Sequence, residues 1–334
     1  MQANSLTVSA PSRLHFGLLS IGDQTTRKFG GAGLMIDAHR TAVKVSPSPS
    51  LELITPDDST ESVESTLRQW QTHFALPELR TLALGDLPVR LKVEPAPRHS
   101  GLGSGTQLAF AVATALQLAF DQPIPSTEDL ALALGRSKRS AIGSYGFHQG
   151  GFLVDRGIAD ESIAPLDMRI DFPKAWKIVL IQPRVDHGTP VFGSTELDRF
   201  QELPPTTQEQ ADHLASVLRN QIVPTILKED FENFARAVLE YGYLSGLFYE
   251  PIQGGAYASP VAREIVDRIA EFGQYGVGQS SWGPLLFAFS KSEKDALRLV
   301  EYLREHSDDV TCHAAVVSAD NRGMVVVPSP RGEG

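Results

Sequence analysis

The sequence predicts an α+β fold in two parts, on three observations. Strand-like and helix-like segments are mixed along the whole chain, an unusually apolar helix follows a glycine turn near residue 102, and a strand at Lys177–Pro183 opens a second set of elements. With 334 residues the chain can bury roughly three quarters of its unfolded surface, enough for two ordinary domains.

The elements follow in order. "SLTVSA", "HFGLLSI", "TAVKVSP" and "PVRLKVEP" carry the apolar and β-branched spacing of strands, with a helix predicted over residues 61–74. Over 102–120 apolar residues recur all round, which predicts a helix covered on most sides at the centre of its domain. In "PSTEDLALALGR", Ser126 or Thr127 can cap a helix whose positive start Glu128 and Asp129 complement. After the strand at Lys177–Pro183, helices are predicted near 208–228, 230–247, 261–272 and 293–305, with strands "PLLFAFS" and "VTCHAAVVS". The seam is expected within 160–174, after the glycine-rich "HQGGFLVDRG", dividing the chain into 1–165 and 166–334.

Composition narrows the function. A net charge of -10 disfavours a general binder of nucleic acid or anionic membrane, so any anionic ligand must be held by a local cluster of cations. The single cysteine, Cys312, excludes an internal disulfide and suits a reducing compartment. The first twenty residues lack the apolar core of a secretory signal, and the apolar stretch 108–120 is interrupted by Thr114 and Gln117 and is too short to span a bilayer. A cytoplasmic protein acting on small molecules is the expectation, with no nucleic-acid or membrane partner.

The chemistry concentrates in "PAPRHSGLGSGTQLAFAVATAL". Gly101, Gly103 and Gly105 clear side chains from the backbone, Ser104 and Thr106 add hydroxyls, and the helix that begins here offers unpaired amides and a positive dipole end to an anion. The turn is neither a Walker loop nor a dinucleotide fingerprint. It can cradle a phosphate, or it can let the helix start close to its neighbours. Two more glycine clusters favour a pocket: Arg27 and Lys28 precede Gly30, Gly31 and Gly33, and Ser280, Ser281 and Gly283 precede a strand. The cations are also local, namely Arg13 and His15 on one strand face, Arg98 and His99 before the turn, and Arg136, Lys138 and Arg139 with Ser140 in "GRSKRSAIG". A solvated charged face is the plainer reading of that last run, but its company with glycines argues for a binding site.

These motifs resemble the GHMP kinase superfamily: "APSRLHFGLLSIG" its first motif, "PAPRHSGLGSGTQ" its second and "GQSSWGPLLFAF" its third. Within it, "SRLHFGLL", "RKFGGAGLMID", "GLGSGTQLAFAVA", "GRSKRSAIGSYGFHQGGFLVDRG" and the loop before "STELDRF" are most similar to the β-ribofuranosylaminobenzene 5'-phosphate synthases. The resemblance implies a GHMP-kinase-like fold, an N-terminal domain with a left-handed βαβ crossover followed by a ferredoxin-like domain. It implies condensation of phosphoribosyl pyrophosphate with 4-aminobenzoate, releasing carbon dioxide and pyrophosphate, in methanopterin biosynthesis. Such chemistry needs no nucleophilic side chain, only neutralisation of the leaving group, alignment and exclusion of water. Arg27, Arg136 and Arg139 would clamp phosphate oxygens, with Arg13, His15, Lys28, Ser140 and the loop residues binding substrate, while Asp155 or Glu196 would counter charge on the sugar. Magnesium would arrive with the pyrophosphate, no protein cage being expected, and the assembly would be a homodimer. Ser20 stands where relatives often carry an acid, and "SAIGSYGFHQ" lacks the aspartate of many kinases. An ATP-dependent kinase and a non-catalytic phosphometabolite-binding protein are the alternatives.

Overall fold

The computed structural model describes residues 3–97, 100–183, 202–273, 275–281, 283–306 and 312–328. The spine of the first sheet is a long antiparallel pair, β1 (Leu6–Leu18) with β2 (Gly31–Pro47). β1 joins two segments that the sequence separates at Pro11 and Ser12. Register shifts between Ala10 and Ser12 and between His15 and Gly17 absorb the irregularity, so pairing along β2 overrides the local break. β3 (Glu52–Ile54), β4 (Val89–Glu94) and β11 (Val325–Pro328) extend the sheet in the order β11-β1-β2-β4-β3, while β5 (Phe152–Asp155) pairs with β2 and β6 (Leu166–Ile170) with β5.

Among the described strands the parallel pair is β3 with β4, joined through α1 (Asp57–His73) and the short α2 (Pro77–Arg80) as a βαβ crossover. α1 starts before residue 61, with Asp57 and Asp58 in its positive first turn. Its buried stripe, Val63, Leu67 and Trp70, faces α3 (Ser104–Ala119). α3 is buried on nearly every side, as its all-round apolar pattern predicts. Its polar Gln117 is satisfied by accepting from Trp70 Nε1 at 3.0 Å and donating to the Pro123 carbonyl at 3.0 Å. α4 (Thr127–Ala133) is capped by Ser126, and α5 (Ile142–Gln149) leads into β5.

The second sheet comprises β7 (Lys177–Pro183), β8 (Gly276–Gln279), β9 (Leu286–Ser290) and β10 (Cys312–Val317), all antiparallel, in the order β10-β7-β9-β8. Counted along the chain this is the 4-1-3-2 order of a ferredoxin-like sheet. The helix predicted over 208–228 is divided into α6 (Gln208–Val217) and α7 (Val223–Leu227) by a π turn at Leu218–Ile222, just before Pro224, which has no amide to donate. α8 (Phe231–Gly246), α9 (Glu250–Gln253), α10 (Pro260–Phe272) and α11 (Glu293–Glu305) complete the described helices.

The two sheets share one apolar cluster. Phe16 of β1 lies 5.2 Å from Phe287 and 5.5 Å from Phe289 of β9, ring centre to ring centre, with Leu14, Leu34 and Phe152 around them. This face of β1 is committed to the core, so the intervening Arg13 and His15 lie on the other. The expected cut at 165/166 falls inside the first sheet: β6 still pairs with β5, and β11 brings the chain back to β1. Local pattern cannot announce such pairing, because a strand returning from the C-terminus reads like any other strand. Among the described residues no helix is long and apolar enough to cross a membrane.

Candidate active site

The start of α3, the middle of β1 and the segment before β9 meet at one place. Gly101 (φ +77°) and Gly103 (φ +66°) take left-handed turns that only glycine adopts cheaply, and Gly103 caps α3 without any side-chain hydrogen bond. The first-turn amides of α3 are thus left to a ligand or water. The Arg13 amide donates to the Leu102 carbonyl at 2.9 Å, stitching β1 to the turn. Ser280, fully buried, donates from Oγ to the Gly101 carbonyl at 2.6 Å and accepts from the His15 amide at 3.1 Å, while the Ser281 amide donates to the His15 carbonyl at 3.3 Å. Ser280 therefore fastens the three motifs together, its hydroxyl spent on backbone groups.

Cations approach this turn directly. A Cβ placed on Gly103 would stand 2.8 Å from Arg13 Nε, and one on Gly105 would stand 3.4 Å from Arg136 Nη1. His15 is held neutral: burial, then the charges of Arg13 and Arg139, push its imidazole well below the ordinary value, which also places Arg139 at this site. Ser104 and Thr106 are half-buried and Gly105 is exposed, so the turn opens to solvent. The sequence reasoning missed Gly143, whose Cβ position lies 3.5 Å from Gln107 Nε2 and 3.8 Å from both Arg13 Cδ and Thr106 Cγ2. It puts the start of α5 beside the start of α3, with Gln107 Nε2 donating to the Gly143 carbonyl at 2.7 Å. The signal was there in "SAIGSYG", a glycine in the first turn of a helix.

Other predicted residues lie elsewhere or do other work. Arg27 is turned to the loop after β5, donating to the Gly157 carbonyl at 3.0 and 3.2 Å and pairing with Glu161 at 2.6 Å. The structure does not bring it to the glycine turn with Arg13 and Arg136. Lys28 is exposed and bridges Ile158 through its backbone. The cluster Gly30, Gly31, Gly33 is not a ligand loop: Gly31 and Gly33 are inside β2, where a Cβ on Gly33 would meet the Leu14 carbonyl at 2.5 Å. Clearance explains these glycines. Gly283 (φ +80°) is buried in the turn before β9, and Lys138 is exposed beside Arg139. Ser20, fully buried, donates to the Arg27 carbonyl at 3.0 Å and closes the loop it begins. Arg98, His99 and Glu196 lie outside the described residues.

Asp155 is buried behind the turn. Its Oδ2 accepts from Ser140 Oγ and the Ala141 amide, both at 2.9 Å, its Oδ1 accepts from the Gly157 amide at 3.1 Å, and the Gly31 backbone donates as well. It ties the start of α5 to β2 and to the Arg27 loop, and its oxygens face the protein. Burial pushes its carboxyl up to about 6 against the pull of those donors.

Gly103→Ala tests this geometry. It adds a left-handed alanine, costing about 1–2 kcal/mol, and displaces Arg13. Activity should fall about tenfold, with a lowered melting temperature. Gly105→Ser, whose Cβ meets only the movable end of Arg136, should melt like the parent. Equal damage from both would refute the tight packing of Gly103 on Arg13.

Comparison with known proteins adds the following. The GHMP kinases N terminal domain matches residues 74–148 and the GHMP kinases C terminal model matches 222–309. The beta-ribofuranosylphenol 5'-phosphate synthase of Methanothermobacter thermautotrophicus is 30% identical over 300 residues, covering 85% of this chain and 88% of the relative. The homoserine kinase of Chlorobium phaeobacteroides is 26% identical, covering 66% and 64%. Among solved structures, homoserine kinase from Cytophaga hutchinsonii superposes with a TM-score of 0.64 at 20% identity, covering 97% of this chain and 98% of that one.

Proposed function

Since this chain belongs to the beta-ribofuranosylphenol 5'-phosphate synthase family, on a GHMP kinase fold, we propose that it is a decarboxylating phosphoribosyl transferase. Its substrates would be phosphoribosyl pyrophosphate and a 4-substituted benzoate, in a methanopterin-type pathway. The observation that carries this reading is the approach of Arg13 and Arg136 to the start of α3, whose glycine cap makes no side-chain hydrogen bond, with Arg139 acting by charge on the neighbouring His15.

The chemistry follows from charge. The ring carbon that bears the carboxylate supplies an electron pair to the anomeric carbon, whose bond to pyrophosphate oxygen breaks with its pair leaving on that oxygen. The bond between ring and carboxylate then gives its pair back to the ring, and carbon dioxide departs. The amides of α3 and the guanidiniums of Arg13, Arg136 and Arg139 stabilise the leaving charge, and no side chain needs to attack. Among the described residues there is no group of three or more His, Cys, Asp or Glu side chains placed to hold a metal ion. Magnesium would help neutralise pyrophosphate, held mainly by the substrate's own oxygens.

The relatives are named for a ribofuranosylphenol, a product that a 4-hydroxybenzoate acceptor delivers, whereas 4-aminobenzoate delivers an aminobenzene. Purified protein incubated with magnesium, phosphoribosyl pyrophosphate and each benzoate in turn should release pyrophosphate and carbon dioxide in equal amounts with one of them. A second reading is an ATP-dependent kinase, favoured by the likeness to homoserine kinases. ATP, not phosphoribosyl pyrophosphate, would then raise the melting temperature, a shift worth about 2.7 kcal/mol at a hundredfold excess over Kd. Stabilisation by phosphoribosyl pyrophosphate with no pyrophosphate release would leave a binding protein.

A further inference from the structure

One buried donor at the centre of this site is unaccounted for. His15 is 3% exposed, and its Nδ1 accepts a hydrogen bond from the Gly17 amide at 3.2 Å. That bond fixes the tautomer, since an Nδ1 that accepts cannot carry the proton of a neutral ring, so the proton sits on Nε2. Nε2 is buried and has no hydrogen-bond partner among the described residues. A buried N–H left unpaired costs about 1–3 kcal/mol. The backbone of the same residue is pinned on both sides, its amide by Ser280 Oγ and its carbonyl by the Ser281 amide, while the Gly17 amide holds the ring through Nδ1.

The surroundings say what kind of partner is missing. Arg13, two residues along β1, and Arg139, from the segment before α5, are both close enough to act on the ring by charge. Burial, and then the repulsion of a third cation by these two, keeps the ring neutral and leaves Nε2 a donor only; the same two cations attract an anion. On the other side, the Cβ position of Gly31 lies 3.2 Å from the ring's Cε1, so a larger residue there would press on the imidazole.

From this arrangement we infer that His15 Nε2–H donates a hydrogen bond to an oxyanion of the bound substrate, between Arg13 and Arg139. The inference rests on the reading of this site as one for phosphorylated sugar and aromatic acid, and it adds a specific donor to it. A donor locked in one tautomer by a backbone amide is preorganised: it neither titrates away near neutral pH nor accepts a proton bond from a wrong partner. The oxyanion is either a phosphate oxygen of phosphoribosyl pyrophosphate or the carboxylate of the benzoate, which share this chemistry.

Nitrogen-15 imidazole spectra of the whole protein test it, with His15 assigned by its disappearance in His15→Gln. Free protein should show His15 with Nε2 protonated and Nδ1 bare. Inorganic pyrophosphate should shift the Nε2 signal if the leaving group is the partner; 4-hydroxybenzoate or 4-aminobenzoate should shift it if the carboxylate is. In calorimetry, His15→Leu should bind the shifting anion about 10–100-fold more weakly, the worth of a hydrogen bond to a charged group. His15→Gln, whose amide reaches the Nε2 position, should recover most of that loss. A proton on Nδ1, or a His15 signal indifferent to every one of these anions, overturns the inference, and the spectra of the parent protein decide this even if His15→Leu does not fold. The outcome is separable from the synthase reading: a shifted Nε2 without turnover keeps the donor and loses the reaction, while turnover with an unmoved His15 does the reverse.

Discussion

Arg136→Ala should lower kcat/KM about 10²–10³-fold, the loss typical of removing one preorganised donor from a developing anion, while leaving the melting temperature within a degree or two. The guanidinium of Arg136 reaches over Gly105 at the exposed first turn of α3, and the residue is only half-buried. Its removal thus leaves no large cavity. Lysine keeps the charge but not the planar fork that meets two phosphate oxygens at once, so Arg136→Lys should recover only part of the rate. Steady-state pyrophosphate release with a parallel melt measures both. Unchanged turnover in Arg136→Ala would take this residue out of the site.

Asp155→Asn should cost stability rather than act on chemistry, by about 1–3 kcal/mol, the usual loss when a buried donor is left without its acceptor. Every group that faces the carboxylate is a donor: Ser140 Oγ, the Ala141 and Gly157 amides, and the Gly31 backbone. An asparagine turns one of the two oxygens into a further donor, so some of these amides must be orphaned. Because the segment with Arg136 and Arg139 is anchored through Ser140 and Ala141, activity should fall as a consequence of loosening. The pH dependence has a definite sign. Folding raises the Asp155 pKa from 3.8 to about 6, so the native state holds its proton over a range where the unfolded chain has lost it. This group's contribution is present below pH 4 and is lost as pH rises through about 6. The melting temperature of the parent minus that of Asp155→Asn should therefore decline between pH 4 and pH 6.5. A flat difference would show that the carboxyl is not strained by burial.

His15 works in the opposite sense. Its folded pKa lies well below 6.5, so its contribution is present above the ordinary histidine value and is lost as pH falls. The two groups belong to neighbouring parts of one site and leave the neutral range as the one in which Asp155 is ionised and His15 is not.

Much of the fold could be read from pattern. The central helix, the capped helix at Ser126 and the strand at Lys177–Pro183 follow from apolar spacing and local caps, which are short-range matters. The glycine turn before a helix start was also legible, because glycines there free the backbone to turn and leave the first amides of the helix without partners inside it. Arg27 shows where such reading stops. In the sequence it has the same credentials as Arg136, a cation beside glycines, and only folding turns it onto the Gly157 carbonyl and Glu161. Gly31 and Gly33 likewise look like loop residues and prove to be strand residues cleared for the backbone of β1.

By itself, then, the chain's composition and motifs determined an acidic α+β protein with a glycine turn opening its central helix, and the family to which it belongs. Tertiary structure decided which cations reach that turn, which serine is a rivet, and that β6 and β11 complete the first sheet. The division has a physical cause. Caps, turns and helix starts are settled by residues a few positions apart, whereas the partners of Arg27, His15 and Asp155 lie far along the chain or depend on which strand faces which, and that is fixed only when the sheets pair.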